Sequence, residues 1–130
     1  MGYEAKRIDD MEAVFFGAFK RARAELGVDA FGMQVIDMPP NADQYPEHDH
    51  ADDGQQEVYV ALRGSGEIDI EGERVPIDPE TMVMVGPGTT RKVLTQDDPL
   101  RLLIVGGIPG KPYEAPEMSK LGAPDPARQN

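Results

Sequence analysis

From Phe31 onward this chain is a succession of short apolar runs cut by turn residues, and that rhythm restricts the fold more than any other feature. The runs are 31–38, 57–62, 67–70, 74–77, 82–85, 91–95 and 100–105. Between them stand Pro39-Pro40, Arg63-Gly-Ser-Gly66, Glu71-Gly72, Gly86-Pro-Gly88 and Gln96-Asp-Asp-Pro99. Each run is too short for a helix of ordinary length, and the even spacing with strong breaks predicts an all-β sandwich or barrel, not a βαβ fold. Ile68, Ile70, Val75 and Ile77 alternate with polar residues, as in a hairpin with one wet face, and Glu71-Gly72 suits its two-residue turn. Met33, Met38, Met82 and Met84 read as core filler.

The first 30 residues differ. Met11, Val14, Phe15, Ala18, Phe19, Ala22 and Leu26 recur at helical spacing, so a helix is expected over about 9–26, started by Asp9 or Asp10 and stopped at Gly27, with Gly17 an interruption. Residues 109–130 form a Pro-rich tail in which Tyr113 can anchor the first half and the last ten or so residues are expected to be mobile. A chain of 130 residues makes one domain: N-terminal segment 1–30, β-barrel 31–108, tail 109–130. It has no cysteine, which removes thiolate metal sites, cysteine nucleophiles and disulfides together; a reducing cytoplasm is compatible with that. A formal net charge of −11 argues against a nucleic-acid partner, which calls for a basic stripe. No secretory signal is expected at the N-terminus, and no apolar run approaches the roughly 20 residues that span a bilayer.

The only histidines are His48 and His50. At i and i+2 of an extended segment they face one way, and Glu57 follows. Two neutral imidazoles and a carboxylate suit a divalent transition metal with coordination positions left open. A solvated pair of histidines on an acidic loop is the plainer alternative.

His48-Asp-His50, Glu57 and Gly64, with Val58-Tyr-Val-Ala-Leu-Arg63 between the last two, resemble the first motif of the cupin superfamily. The loop Asp52-Asp-Gly-Gln-Gln56 is longer than in that pattern and leaves open whether Gln56 or Glu57 faces the site. A degraded second motif runs from Glu80 through Gly86-Pro-Gly88 to Arg91, which stands where the family has a histidine. The resemblance implies an all-β, single-domain cupin-type jelly roll with a metal (Fe, Mn, Ni or Zn) on His48, His50 and Glu57. It also implies a small-molecule ligand and a homodimer. Arg91 has no lone pair to offer a metal. It can clamp the acid group of a small anionic substrate beside Tyr59, in a dioxygenase, isomerase or lyase. Alternatively it pairs with Glu57, leaving a metal-free binding or sensing cup.

Overall fold

The computed structural model describes residues 2–128; Met1, Gln129 and Asn130 lie outside it. All the expected strands form, as β3 (Gly32–Met38), β4 (Gln56–Gly64), β5 (Gly66–Ile70), β6 (Glu73–Ile77), β7 (Met82–Val85), β8 (Arg91–Leu94) and β9 (Leu100–Gly107). Two short strands precede them, β1 (Ala13–Val14) and β2 (Phe19–Lys20). One sheet has the order β1-β2-β3-β9-β4-β7 and faces a second with the order β6-β5-β8. This is a jelly-roll-like sandwich of two sheets that do not close into a continuous barrel.

Alternation decides what lies between the sheets. Ile36 and Met38 of β3, Tyr59 and Ala61 of β4, and Leu100, Leu102 and Ile104 of β9 meet Ile68, Ile77 and Val93 from the second sheet. The other face of β3 and β9 turns Val35, Met33 and Leu103 toward Met11, Ala22 and Leu26. β3 is therefore buried on both sides, which is why it reads as a nearly continuous apolar run. Glu71 (φ 50°) and Gly72 (φ 92°) both take left-handed backbone, as a two-residue hairpin turn of matching twist requires. Pro76 is tolerated because β6 is an edge strand.

Three expectations are corrected. The helix over 9–26 shrinks to α1 (Ala22–Leu26), closed by left-handed Gly27. Phe15, Phe16 and Gly17 have φ of 56°, 57° and 89°, so the chain reverses there and β1 pairs with β2. The amide of Asp37 donates to Ala18 O at 2.8 Å, and β2 extends the sheet beside β3. A free sheet edge captured a segment whose apolar spacing suited a helix; propensity gave way to tertiary pairing. The last part of the tail, expected to be loose, is tied down as far as it is described. Buried Arg21 donates to Met118 O, Ala123 O and Glu12 Oε2, each at 2.9 Å. The Asp125 carboxylate accepts from the Phe15 amide at 3.1 and 3.2 Å. Tyr113 does anchor the stretch before it: a Cβ on Gly32 would lie 2.8 Å from its hydroxyl. Finally, Met82 and Met84 are not core filler but 69% and 60% exposed, because β7 turns Val83 and Val85 inward instead. Among the described residues no helix is long and apolar enough to cross a membrane.

Candidate metal centre

Backbone pairing sets the histidines. His48 N–H donates to Arg91 O at 3.0 Å, Arg91 N–H returns to His48 O at 2.9 Å, and His50 N–H donates to Pro87 O at 2.7 Å. The Gly86-Pro-Gly88 turn and the start of β8 thus hold residues 48–50 extended, and both rings fall on one face. Glu57 reaches them from β4, while Gln56 is exposed, which settles the question the long loop had left open. Beside Glu57 runs Gly106 of β9; a Cβ there would lie 2.8 Å from Gln55 Oε1 and 3.2 Å from Glu57 Cγ.

One donor atom from each of His48, His50 and Glu57 lies within 4.8 Å of the others. Glu57 Oε1 is 3.2 Å from His50 Nε2 and 3.6 Å from His48 Nε2. The far ring nitrogens are engaged: His48 Nδ1 donates to Pro46 O at 3.0 Å, and His50 Nδ1 donates to Asp53 Oδ1 at 3.1 Å. A neutral ring that donates from Nδ1 presents a lone pair at Nε2. His50 Nε2 is buried and makes no hydrogen bond among the described residues. Two imidazole lone pairs facing a carboxylate repel unless a proton or a cation sits among them. His48 responds in that sense: the Glu57 carboxylate 3.6 Å from its Nε2 raises its pKa despite partial burial. Burial alone would raise the pKa of Glu57, but His48, His50, Tyr59 and Arg91 outweigh it and hold the carboxyl ionised.

Behind the carboxylate, Tyr59 Oη donates to Glu57 Oε1 at 2.9 Å, and Arg91 Nη2 lies 3.9 Å from the same oxygen. Both residues are wholly buried. Arg91 Nη2 donates to Val85 O at 3.2 Å and to Gly86 O at 3.3 Å, whereas its Nε and Nη1 have no partner among the described residues. A cavity of about 200 Å³ opens onto His48, His50 and Glu57, with Phe19, Gln34, Ile104 and Tyr113 among its other walls. Neither Arg91 nor Tyr59 lines it.

A family model described as Cupin domain matches residues 34–106. This chain belongs to the cupin family. No curated protein matches it. Among solved structures it is similar to a cupin protein from Bacteroides fragilis, at 20% identity and TM-score 0.69 over 92% of this chain and 94% of that one. It is also similar to the polyketide cyclase RemF from Streptomyces resistomycificus, at 17% identity and TM-score 0.66 over 87% and 81%. A third is the DMSP lyase DddQ from Ruegeria pomeroyi, at 26% identity and TM-score 0.53. That match covers 65% of this chain and 43% of the lyase, so the cupin spans less than half the lyase's length.

The donor set of this cupin fits a divalent transition ion: two imidazole nitrogens with lone pairs inward, one ionised carboxylate, and a buried Nε2 with no other use. Nitrogen–oxygen separations of 3.2 and 3.6 Å stand close to the roughly 3.0–3.4 Å expected between ligands held at about 2.1 Å from one ion. Sequence reasoning missed Asp53 and Gly106. Asp53 orients His50 from within the loop that had looked like an insertion, and Gly106 gives Glu57 the room it occupies. The length of that loop and its paired aspartates were the available signal for Asp53; Gly106 had none, since its role comes from its cross-strand partner.

Proposed function

We propose that this cupin holds one divalent transition metal (Fe, Mn, Ni or Zn) on His48 Nε2, His50 Nε2 and Glu57 and presents it to a small organic ligand in the adjoining cavity. The observation that carries this reading is the convergence of two Nε2 lone pairs on an ionised carboxylate, with both Nδ1 atoms already engaged. Such an ion, when bound, supplies Lewis acidity or O2 activation, the chemistry of isomerases, lyases and dioxygenases. The protein's part is orientation. Pro46 O and Asp53 hold each imidazole in the ligating tautomer, and Tyr59 fixes Glu57 Oε1. Arg91 stands behind Glu57 and keeps it charged; with no exposed surface it positions the carboxylate instead of clamping a substrate acid. DddQ, described as a DMSP lyase, is in keeping with the lyase class on this fold.

Metal analysis of protein purified without chelator tests the reading. About one equivalent is expected, and His48→Ala combined with His50→Ala should abolish it. An unchanged metal content in that double variant overturns the ligand assignment. The Arg91–Glu57 approach of 3.9 Å favours a second reading, a metal-free binding or sensing cup in which Arg91 pairs with Glu57. Absence of metal from the wild-type protein, with none taken up on dialysis, selects it. The proposal extends to a homodimer in the cytoplasm, in which the exposed methionines of β7 meet a second copy.

A further inference from the structure

We infer that the ligand of this cupin is an uncharged, multi-ring aromatic molecule. Its body fills a second chamber, between the β1–β2 hairpin and the 39–46 loop, and its oxygen donor reaches past His48. The direction of that donor rests on the metal reading above; the chamber and its chemistry do not. The chamber measures about 560 Å³, within the span of roughly 300–1,000 Å³ usual for pockets that hold drug-sized molecules. It joins the smaller cavity along Phe19, Ile36, Tyr45, His48 and Met118, which line both.

Its walls are flat and apolar: Phe15, Phe16, Phe19 and Tyr45, with Met38 and Met118. The ionisable side chains on the lining other than Tyr45 are Asp37 and His48, and no Lys or Arg borders either cavity. The Asp37 carboxylate is already satisfied, by Arg101 at 2.7 and 2.9 Å and by Lys20 at 3.3 Å. An anionic body would find no lysine or arginine on the lining to pair with, and a cationic body would have to compete with two resident cations for Asp37. Neutral aromatic surface meets no such cost.

The hairpin tip supports this independently. Phe15 and Phe16 occupy consecutive left-handed positions, φ 56° and 57°, where bulky side chains are strained and Asn or Gly would close the turn freely. Phe16 remains 76% exposed, so burial in the core does not explain it. Asp125 accepting from the Phe15 amide, and the Arg128 guanidinium 5.0 Å from the centre of the Phe16 ring, hold the tip in place. Strain maintained by outside contacts at a cavity wall is the pattern of a ligand site.

The test is a fluorescence titration with N-phenyl-1-naphthylamine, which is uncharged, and with 8-anilinonaphthalene-1-sulfonate, the same skeleton bearing a sulfonate. Both are run in about 0.3 M salt to screen the protein's net charge. Saturable one-site binding of the naphthylamine is expected, with the sulfonate about tenfold weaker. Gln44→Trp, on an exposed stretch of the chamber wall, should weaken naphthylamine binding about tenfold, and Phe16→Ala about threefold. Binding that does not saturate, equal affinity for the sulfonate, or indifference to both substitutions overturns the inference. Metal content on the same samples separates the two claims: naphthylamine binding without metal sinks the metal reading alone, and metal without naphthylamine binding sinks this one alone.

Discussion

Asp53 holds the ring of His50 from within the 52–56 loop. Its carboxylate faces His50 Nδ1 at 3.1 and 3.3 Å and is steadied by the amide and side chain of Gln55. Asp53→Ala frees the imidazole to rotate and to change tautomer; we expect metal affinity to fall about 10- to 100-fold with the melting temperature nearly unchanged. Asp53→Asn, which keeps an acceptor oxygen, should recover part of the loss. Isothermal titration with Mn or Ni on the two variants measures both effects. Gly64 illustrates a different dependence. It sits at φ +83°, and an added Cβ would run into Pro99 O. Gly64→Ala therefore carries both backbone strain and a backbone collision, and we expect a loss of about 2–4 kcal/mol in urea unfolding, or failure to fold. The motif glycine was legible in the sequence; the reason for it, the passage of Pro99 across the end of β4, was not.

At the scale of elements, the N-terminal hairpin is held by its neighbours more than by itself. Arg21 links the strand that follows the turn to the carbonyls of Met118 and Ala123, and Arg21→Ala strands those acceptors; a loss of about 2–4 kcal/mol is expected. Arg101 ties β9 to Asp37 of β3 and to Asp9 of the N-terminal turn. Burial alone would raise the pKa of Asp37, but Arg101, and Lys20 with it, overcome this and hold it below its ordinary 3.8. The unfolded chain then binds more protons than the folded one near that pH, so stability rises with pH through this window. The contribution is complete at pH 5 and is lost as the pH falls below about 4 toward the folded-state pKa. Urea midpoints at pH 5 and pH 3 should differ more for the wild-type protein than for Arg101→Met; an equal difference would show that this pair does not contribute. The strands of residues 31–107 could be read from the sequence because alternation and turn chemistry are local. The hairpin departs from the helical expectation for a definite reason. Met11, Val14, Ala22 and Leu26 satisfy helical periodicity, yet the sheet edge of β3 offered hydrogen bonds and burial that a helix over Phe15-Phe16-Gly17 could not match. Gly17, noticed as an interruption, was the one local sign.

For the whole molecule, the C-terminal strap closes over the hairpin while β7 leaves the opposite edge of the six-stranded sheet open. Removal of residues 111–130 takes away the carbonyl acceptors of Arg21, leaving it Glu12 alone, and the Tyr113 contact with Gly32, so we expect a chain with a lower unfolding midpoint that loses naphthylamine binding, since Met118 goes with it. At the other edge, Met82→Glu with Met84→Glu should convert the proposed dimer to a monomer in light scattering; a dimer that persists places the interface elsewhere. The sequence by itself determined the all-β class and the pairing of two histidines with an acid, because period-two alternation, turn residues and i, i+2 geometry are properties of neighbouring residues. Only the tertiary structure decided that Arg91 and Tyr59 lie sealed behind Glu57, that Asp53 orients His50, and that Phe15, Phe16 and Phe19 sit on a hairpin beside a cavity instead of in a helix over 9–26. Burial and choice of hydrogen-bond partner depend on which distant segments the fold brings together, and no local pattern records that.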